Sequence, residues 1–133
     1  MAKYEHLPIY RKSFDLAVYL EKTVHGFSRF HKYGLGLRLQ QAAQDVLARV
    51  IRAQNAVASG RVQELEELRV ELEVLKNLLH LAKEVRAFKS FNAYSHTAGL
   101  AVDVGRQTEG WLRSTKTLQA PESRPTNPSG GRS

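Results

Sequence analysis

Residues 61–88 read RVQELEELRVELEVLKNLLHLAKEVRAF, and within them Leu65, Leu68, Leu72, Leu75, Leu79 and Ala82 recur at intervals of three and four. That spacing is the heptad signature of a helix with one apolar seam. Beside the seam runs a second stripe, Val74, Leu78, Leu81, Val85 and Phe88, so the C-terminal half is apolar over more than the arc one bundle face covers. Such a helix spans about 40 Å. The surplus stripe predicts contact with a second subunit, with Leu78, Leu81 and Val85 as the expected interface residues.

Outward from this segment the pattern stays helical. Proline occurs only at Pro8, Pro121, Pro125 and Pro128, which leaves residues 9–120 free of the strongest helix breaker. Gly and polar clusters at 31–36, 59–60 and 89–92 divide that span into four helices. The first covers about 8–28 with Ile9, Leu16, Ala17, Leu20, Val24 and Phe27 on its stripe, and Pro8 suits its first turn. A second covers about 35–58 with Leu35, Leu39, Ala42, Ala43, Val46, Val50, Ala53 and Val57. The third is 61–88, and the fourth, about 92–115, carries Ala93, Ala98, Gly99, Ala101 and Gly105 and closes with Trp111 and Leu112. A glycine inside a helix costs about 1 kcal/mol relative to Ala, so those on the fourth helix predict a close backbone neighbour. Short links between such helices imply an all-α, antiparallel up-down-up-down four-helix bundle over residues 1–119. The remainder, APESRPTNPSGGRS at 120–133, is too poor in apolar residues to repay its ordering and reads as a disordered tail.

The 133 residues suffice for one domain with a sizeable core, and 42% apolar with 25% charged residues is a globular balance. Absence of cysteine excludes a disulfide scaffold, a thiolate zinc site and a Cys nucleophile, and fits a cytoplasmic protein. Neither a signal peptide nor a membrane span is legible. Catalytic signatures are missing too: no HExxH, GxSxG or P-loop occurs, and no histidine has a Glu three residues before it. Glu21 with His25, and His80 with Glu84, are helical i,i+4 pairs that read as surface ion pairs. Gly34-Leu35-Gly36 reads as a turn. The expectation is a non-enzyme without metal or cofactor.

Charge is the informative property. Twenty Lys and Arg against thirteen Asp and Glu give +7, which favours polyanionic partners. Residues 61–75 hold five acids and two arginines, leaving 18 basic and 8 acidic residues elsewhere. Basic residues recur near the heptad spacing: Arg11, Lys22 and Arg29 on the first helix, Arg38, Arg49 and Arg52 on the second, Lys76 and Lys83 on the third, Arg106 and Arg113 on the fourth. Cations set in line suit a phosphate backbone. Asp45 is spaced to pair with Arg49, which would leave Arg38 and Arg52 freer. Phe27, Phe30, Tyr33, Phe88, Phe91 and Trp111 fall near the expected helix ends, as plugs for the bundle or as surfaces on which unpaired bases stack.

Five stretches extend the reading. Leu7-Pro8-Ile9-Tyr10, Phe14-Asp15-Leu16, Phe27-Ser28-Arg29-Phe30-His31-Lys32-Tyr33-Gly34-Leu35-Gly36 followed by Arg38, the run from Leu75 to Phe88, and Gly105-Arg106-Gln107 with Gly110-Trp111-Leu112 stand in order along residues 7–115. Together they resemble the accessory variability determinant proteins of diversity-generating retroelements. The four-helix proteins of ribosomal RNA intervening sequences share the Phe-Asp-Leu and Tyr-Gly-Leu elements, but their Asn-Ile-Ala-Glu-Gly signature is replaced here by Val50-Ile51-Arg52-Ala53-Gln54-Asn55. The resemblance implies a homo-oligomeric, ring-like pentamer that binds the element's reverse transcriptase and its template RNA or an RNA/DNA hybrid. It would assist mutagenic cDNA synthesis without catalysing it. The family's basic surface maps onto Arg29, Lys32, Arg38, Arg49, Arg52, Lys83, Arg86, Arg106 and Arg113. The alternative is a protein-interaction bundle, or an intervening-sequence-type protein, whose charge serves solubility alone.

Overall fold

The computed structural model describes residues 7–123, with side chains through residue 118. Its elements are α1 (Pro8–His25), α2 (Arg29–His31), a π-helical turn (Lys32–Gly36), α3 (Leu37–Asn55), α4 (Ala58–Glu84) and α5 (Phe91–Ser123). The described residues contain no strand. α1 packs on α3, α3 on α4, α4 on α5, and α5 closes back onto α1.

Residue pairs across these four interfaces run in opposite order. Lys12 meets Asp103 while Tyr19 meets His96, Glu66 meets Lys116 while Arg69 meets Glu109, and Arg61 meets Ala53 while Glu71 meets Arg49. Between α1 and α3, Glu21 meets Gln44 while Val24 lies against Gly36. Every neighbouring pair is therefore antiparallel, which is the up-down-up-down order that short links require.

The whole leucine seam of α4 lies in the core with Ile9, Leu16, Leu20, Val24, Leu39, Val46, Val50, Leu100, Val104 and Leu112. The second stripe divides. Leu78 is half-buried against the core, Leu81 and Val85 are 49% and 44% exposed, and Phe88 is buried beyond the end of the helix.

Helix boundaries differ from the sequence reading for local reasons. The expected turn at 31–36 is instead helical, so α2, the π turn and α3 follow one another without a break. Neither Gly34 nor Gly36 adopts positive φ. Gly36 is there for space, since a Cβ would stand 2.6 Å from Val24 Cγ1 and 3.1 Å from the His31 carbonyl oxygen. The break expected at Ser59-Gly60 falls at Ala56-Val57, where both residues are extended. There the Arg61 guanidinium donates to the Ala53 and Ala56 carbonyl oxygens at 2.8 and 2.9 Å, satisfying the end of α3, and lies 5.8 Å from the Trp111 ring centroid.

α4 stops at Glu84 rather than at Phe88. Arg86 takes φ 61°, the Ala87 N–H donates to the Ala82 carbonyl at 2.8 Å, and the Arg86 N–H donates to that of Lys83 at 3.1 Å. This is a Schellman stop with arginine where glycine is usual. Gly99 and Gly105 of α5 do not seat a neighbouring backbone, since a Cβ on Gly99 would meet nothing within 4 Å and one on Gly105 only the Lys76 Nζ at 3.9 Å, whereas Ala101 is fully buried in the core. α5 also passes its expected end to reach Ser123. Residues 124–133 of the expected tail lie outside the described residues.

Gly36→Ala should destabilise the chain by about 1–2 kcal/mol, because overpacking outweighs the gain in helix propensity. Gly34→Ala, which has open space around it, should be neutral or stabilising. Thermal unfolding of the two variants distinguishes them.

Candidate nucleic-acid interface

The cations are sorted by what they touch. Along the helices several are paired: Lys76 with Glu73 at 3.1 Å, Arg106 with Asp103 at 3.1 Å, Arg69 with Glu109 at 2.7 Å, Lys116 with Glu66 at 3.4 Å and Lys12 with Asp103 at 3.9 Å, while Arg11, Lys22, Arg38, Arg52 and Arg113 have no acidic partner within ion-pair distance among the described residues. The two-point bond from Arg69 holds the Glu109 carboxyl below the ordinary carboxylate range. His80 lies 3.5 Å from Glu84 on an exposed face, as an i,i+4 surface pair. Glu21 instead accepts from Gln44 at 3.4 Å. Exposed pairs of this kind add little stability, about 0–1 kcal/mol each, but they lower the local positive potential.

Arg49 is a different case and corrects the expected pairing. It reaches across to α4 rather than along α3 to Asp45, and donates to Glu64 at 2.8 Å and to Glu71 at 3.0 and 3.2 Å, with Glu67 at 2.8 Å. Its side chain is 17% exposed. Hydrogen bonds to Glu71 and then Glu64 hold its guanidinium even further above neutrality than usual. Three carboxylates on one guanidinium make Arg49 a clamp between α3 and α4, with its charge matched inside the protein.

The expected surface residues therefore do not form one continuous rail. Arg52, near the end of α3, and Arg113, two residues past Trp111, lie toward the end of the bundle where Arg61 stacks on Trp111. Arg38 lines a small cavity with Asp45, Val70, Glu71 and Val74 between α3 and α4. Arg29, Lys32, Lys83 and Arg86 belong to the opposite end, where the α1–α2 and α4–α5 connections meet.

That meeting is close. A Cβ at Gly26 would lie 3.4 Å from Lys89 Cδ and Cε, and Phe27 packs edge-on to Phe88 at 5.3 Å between centroids. Residues 25–34 and 83–91 together carry five Lys and Arg, the two histidines His25 and His31, and one acid, Glu84. Arg29, Lys32, Arg86 and Lys89 have no acidic partner within ion-pair distance among the described residues, while Lys83 is 3.5 Å from Glu84. Lys89 is not among the residues onto which the family's basic surface maps, although Phe88 and Phe91 flank it in the sequence.

Aromatic rings divide at the same end. Phe27 and Phe88 are buried plugs, while Phe30, Tyr33 and Phe91 are exposed, Phe30 at 86%. At the far end Trp111 is half-buried beneath Arg61. The corner end thus shows unpaired cations beside bare rings, the two surface elements that single-stranded nucleic acid uses. Among the described residues no three His, Asp or Glu side chains converge as a metal site would require.

Arg49→Ala should cost about 1.5–3 kcal/mol, the usual loss for part-buried hydrogen bonds to charged groups. Arg52→Ala, exposed and unpaired, should stay within about 0.5 kcal/mol of the parent. Urea unfolding of both variants separates clamp from surface.

No helix among the described residues is long and apolar enough to cross a membrane. Comparison with curated proteins finds no match. A family model described as bAvd-like does match, over residues 7–115, the span that runs from the residue before α1 through the buried part of α5. With four antiparallel helices laid out over that same span, the chain belongs to the bAvd-like family, the accessory variability determinant type.

Proposed function

We propose that this chain is the non-catalytic accessory protein of a diversity-generating retroelement, and that it binds template RNA or an RNA/DNA hybrid through the basic corner end of the bundle. The observation that carries this reading is the contrast between shaft and end. Lys12, Arg49, Arg69, Lys76, Arg106 and Lys116 on the helices are matched by acids, whereas Arg29, Lys32, Arg86 and Lys89 gather at one end without one. Leaving like charges together costs stability unless a polyanion arrives to neutralise them. In this reading the protein acts in the cytoplasm beside the element's reverse transcriptase and holds nucleic acid near it.

Oligomerisation belongs to the same proposal. Leu81 and Val85 present apolar surface on the outer face of α4, and Leu78 lies beside them with part of its side chain in the core. Burying the exposed part of each against another copy would contribute in proportion to area, at about 25 cal/mol per Å². A homopentamer, the state that family resemblance implies, would set five basic ends together and raise affinity by avidity.

A quadruple charge reversal of Arg29, Lys32, Arg86 and Lys89 should abolish binding of a structured RNA in fluorescence anisotropy at about 0.15 M salt. Reversal of Arg52 and Arg113 should leave most of it. The parent's affinity should fall steeply with salt, with a log–log slope of about 0.9 per phosphate contacted. Weak binding of the parent, or equal loss in both variants, would reject the corner end as the site. Separately, Leu81→Glu should reduce the mass measured by light scattering. An unchanged mass would place the interface elsewhere.

A further inference from the structure

We infer that the cleft between the end of α4 and the start of α5 takes one unpaired nucleotide of a single strand, its base stacked on Phe91 and its phosphate held by Arg86 and Lys89. The inference deepens the nucleic-acid reading above and rests on it. Lys83, Arg86, Phe88, Lys89, Phe91 and Tyr94 line a cavity of about 390 Å³. That is within the range of about 300–1,000 Å³ usual for small-ligand sites.

Its aromatic wall is supported from inside the protein. Phe27 packs on Phe88 at 5.3 Å, Phe88 on Tyr94 at 5.7 Å, and Tyr94 on Phe91 at 5.8 Å. The ladder begins in the core and ends on a ring that is 68% exposed. Tyr94 is fixed further by Lys83, whose Nζ lies 5.4 Å from its ring centroid. A ring packed against Tyr94 and otherwise largely exposed is a stacking platform, and stacking on it would not depend on base identity.

The cationic wall carries a conformational cost. Arg86 is the one non-glycine residue among those described with positive φ, at the position where a helix stop ordinarily has glycine. Glycine there would be the better local choice, so the arginine side chain is retained against backbone preference. That conformation sets Arg86 on the rim of the same cavity as Lys89. Ser90 caps α5 there, its Oγ accepting from the Ala93 N–H at 3.1 Å, so the positive end of the α5 dipole adds to the same field.

The test uses the full chain with 2-aminopurine single strands, one of RNA and one of DNA with the same sequence, and a duplex RNA of equal length. Stacking should quench the probe fluorescence in at least one single strand, and the ratio of the two affinities reports whether the 2′-hydroxyl is read. Phe91→Ala should weaken single-strand binding about tenfold while changing duplex binding by less than about twofold. Arg86→Gly should weaken single-strand binding too, yet raise the thermal midpoint by relieving the left-handed backbone. Equal binding of single strand and duplex, untouched by Phe91→Ala, would overturn the nucleotide site and leave the basic-end reading standing. No binding of any probe would overturn both. A Phe91→Ala variant whose mass falls in light scattering while its single-strand affinity is kept would assign Phe91 to a contact between copies and overturn the site.

Discussion

Leu65, Leu68, Leu72, Leu75 and Leu79 are 2% exposed or less, and each stays dry only while α3 and α5 lie along α4 on either side. Burying one such side chain is worth about 1.5–3 kcal/mol, so the seam is the largest single commitment in the sequence. It fixes direction as well as contact. Once α4 holds α3 and α5 antiparallel to itself, α1 must close the remaining gap, and the α1–α2 and α4–α5 connections arrive at the same end. Everything distinctive about that end follows from this arrangement. Residues some sixty positions apart in sequence, Gly26 and Lys89, or Phe27 and Phe88, are in contact because the seam brings the two corners together.

Charge is distributed by the same geometry. Antiparallel helices set acids of α4 and α5 opposite cations of their neighbours, so Arg49, Arg69 and Lys116 are absorbed into interhelix pairs. The acidic stretch at 61–75 therefore has a structural use beyond a favourable helix dipole: it receives Arg49. What the net charge of +7 offers to a partner is not spread evenly along the surface. Among the described residues, Arg29, Lys32, Arg86 and Lys89 gather where the chain turns and no facing helix supplies them a carboxylate.

Periodicity made the architecture legible. Intervals of three and four name most of the buried residues of α1, α3 and α4, because burial is what periodicity encodes; on α5 the expected small residues give only Ala101, while Thr97, Leu100, Val104, Thr108 and Thr115 are buried and Gly99 is exposed. Val57, expected on the stripe of the second helix, falls in the α3–α4 link and is exposed. Helix ends were harder to read. Ser59 and Gly60 resemble a break, yet the chain turns two residues earlier because Arg61 satisfies the carbonyls of α3 from outside. Gly34 and Gly36 resemble a turn, yet Gly36 serves the approach of Val24. A glycine gives one letter for two physical roles, conformational freedom and absence of volume, and only the neighbour in space separates them. Arg49 shows the same limit for charge: its partner Glu71 is 22 residues away, beyond any helical spacing rule.

The corner end breaks local rules that the rest of the chain obeys. A left-handed arginine stands where glycine is preferred, four cations gather without acids, and three rings lie bare. On the helices, by contrast, apolar seams are buried and Arg49, Arg69, Lys76, Arg106 and Lys116 are paired with acids. Natural sequences are locally consistent where stability alone acts on them, and departures concentrate where a surface has a task. One departure taken singly has a bland explanation, for an exposed phenylalanine or an unpaired lysine occurs on many proteins. Here the departures share a location and a chemistry, positive charge beside aromatic faces, and each lowers the stability of the free protein. A bound polyanion with exposed bases would neutralise the cations and cover the rings, and would give a use to the arginine that the backbone holds in an unfavourable conformation.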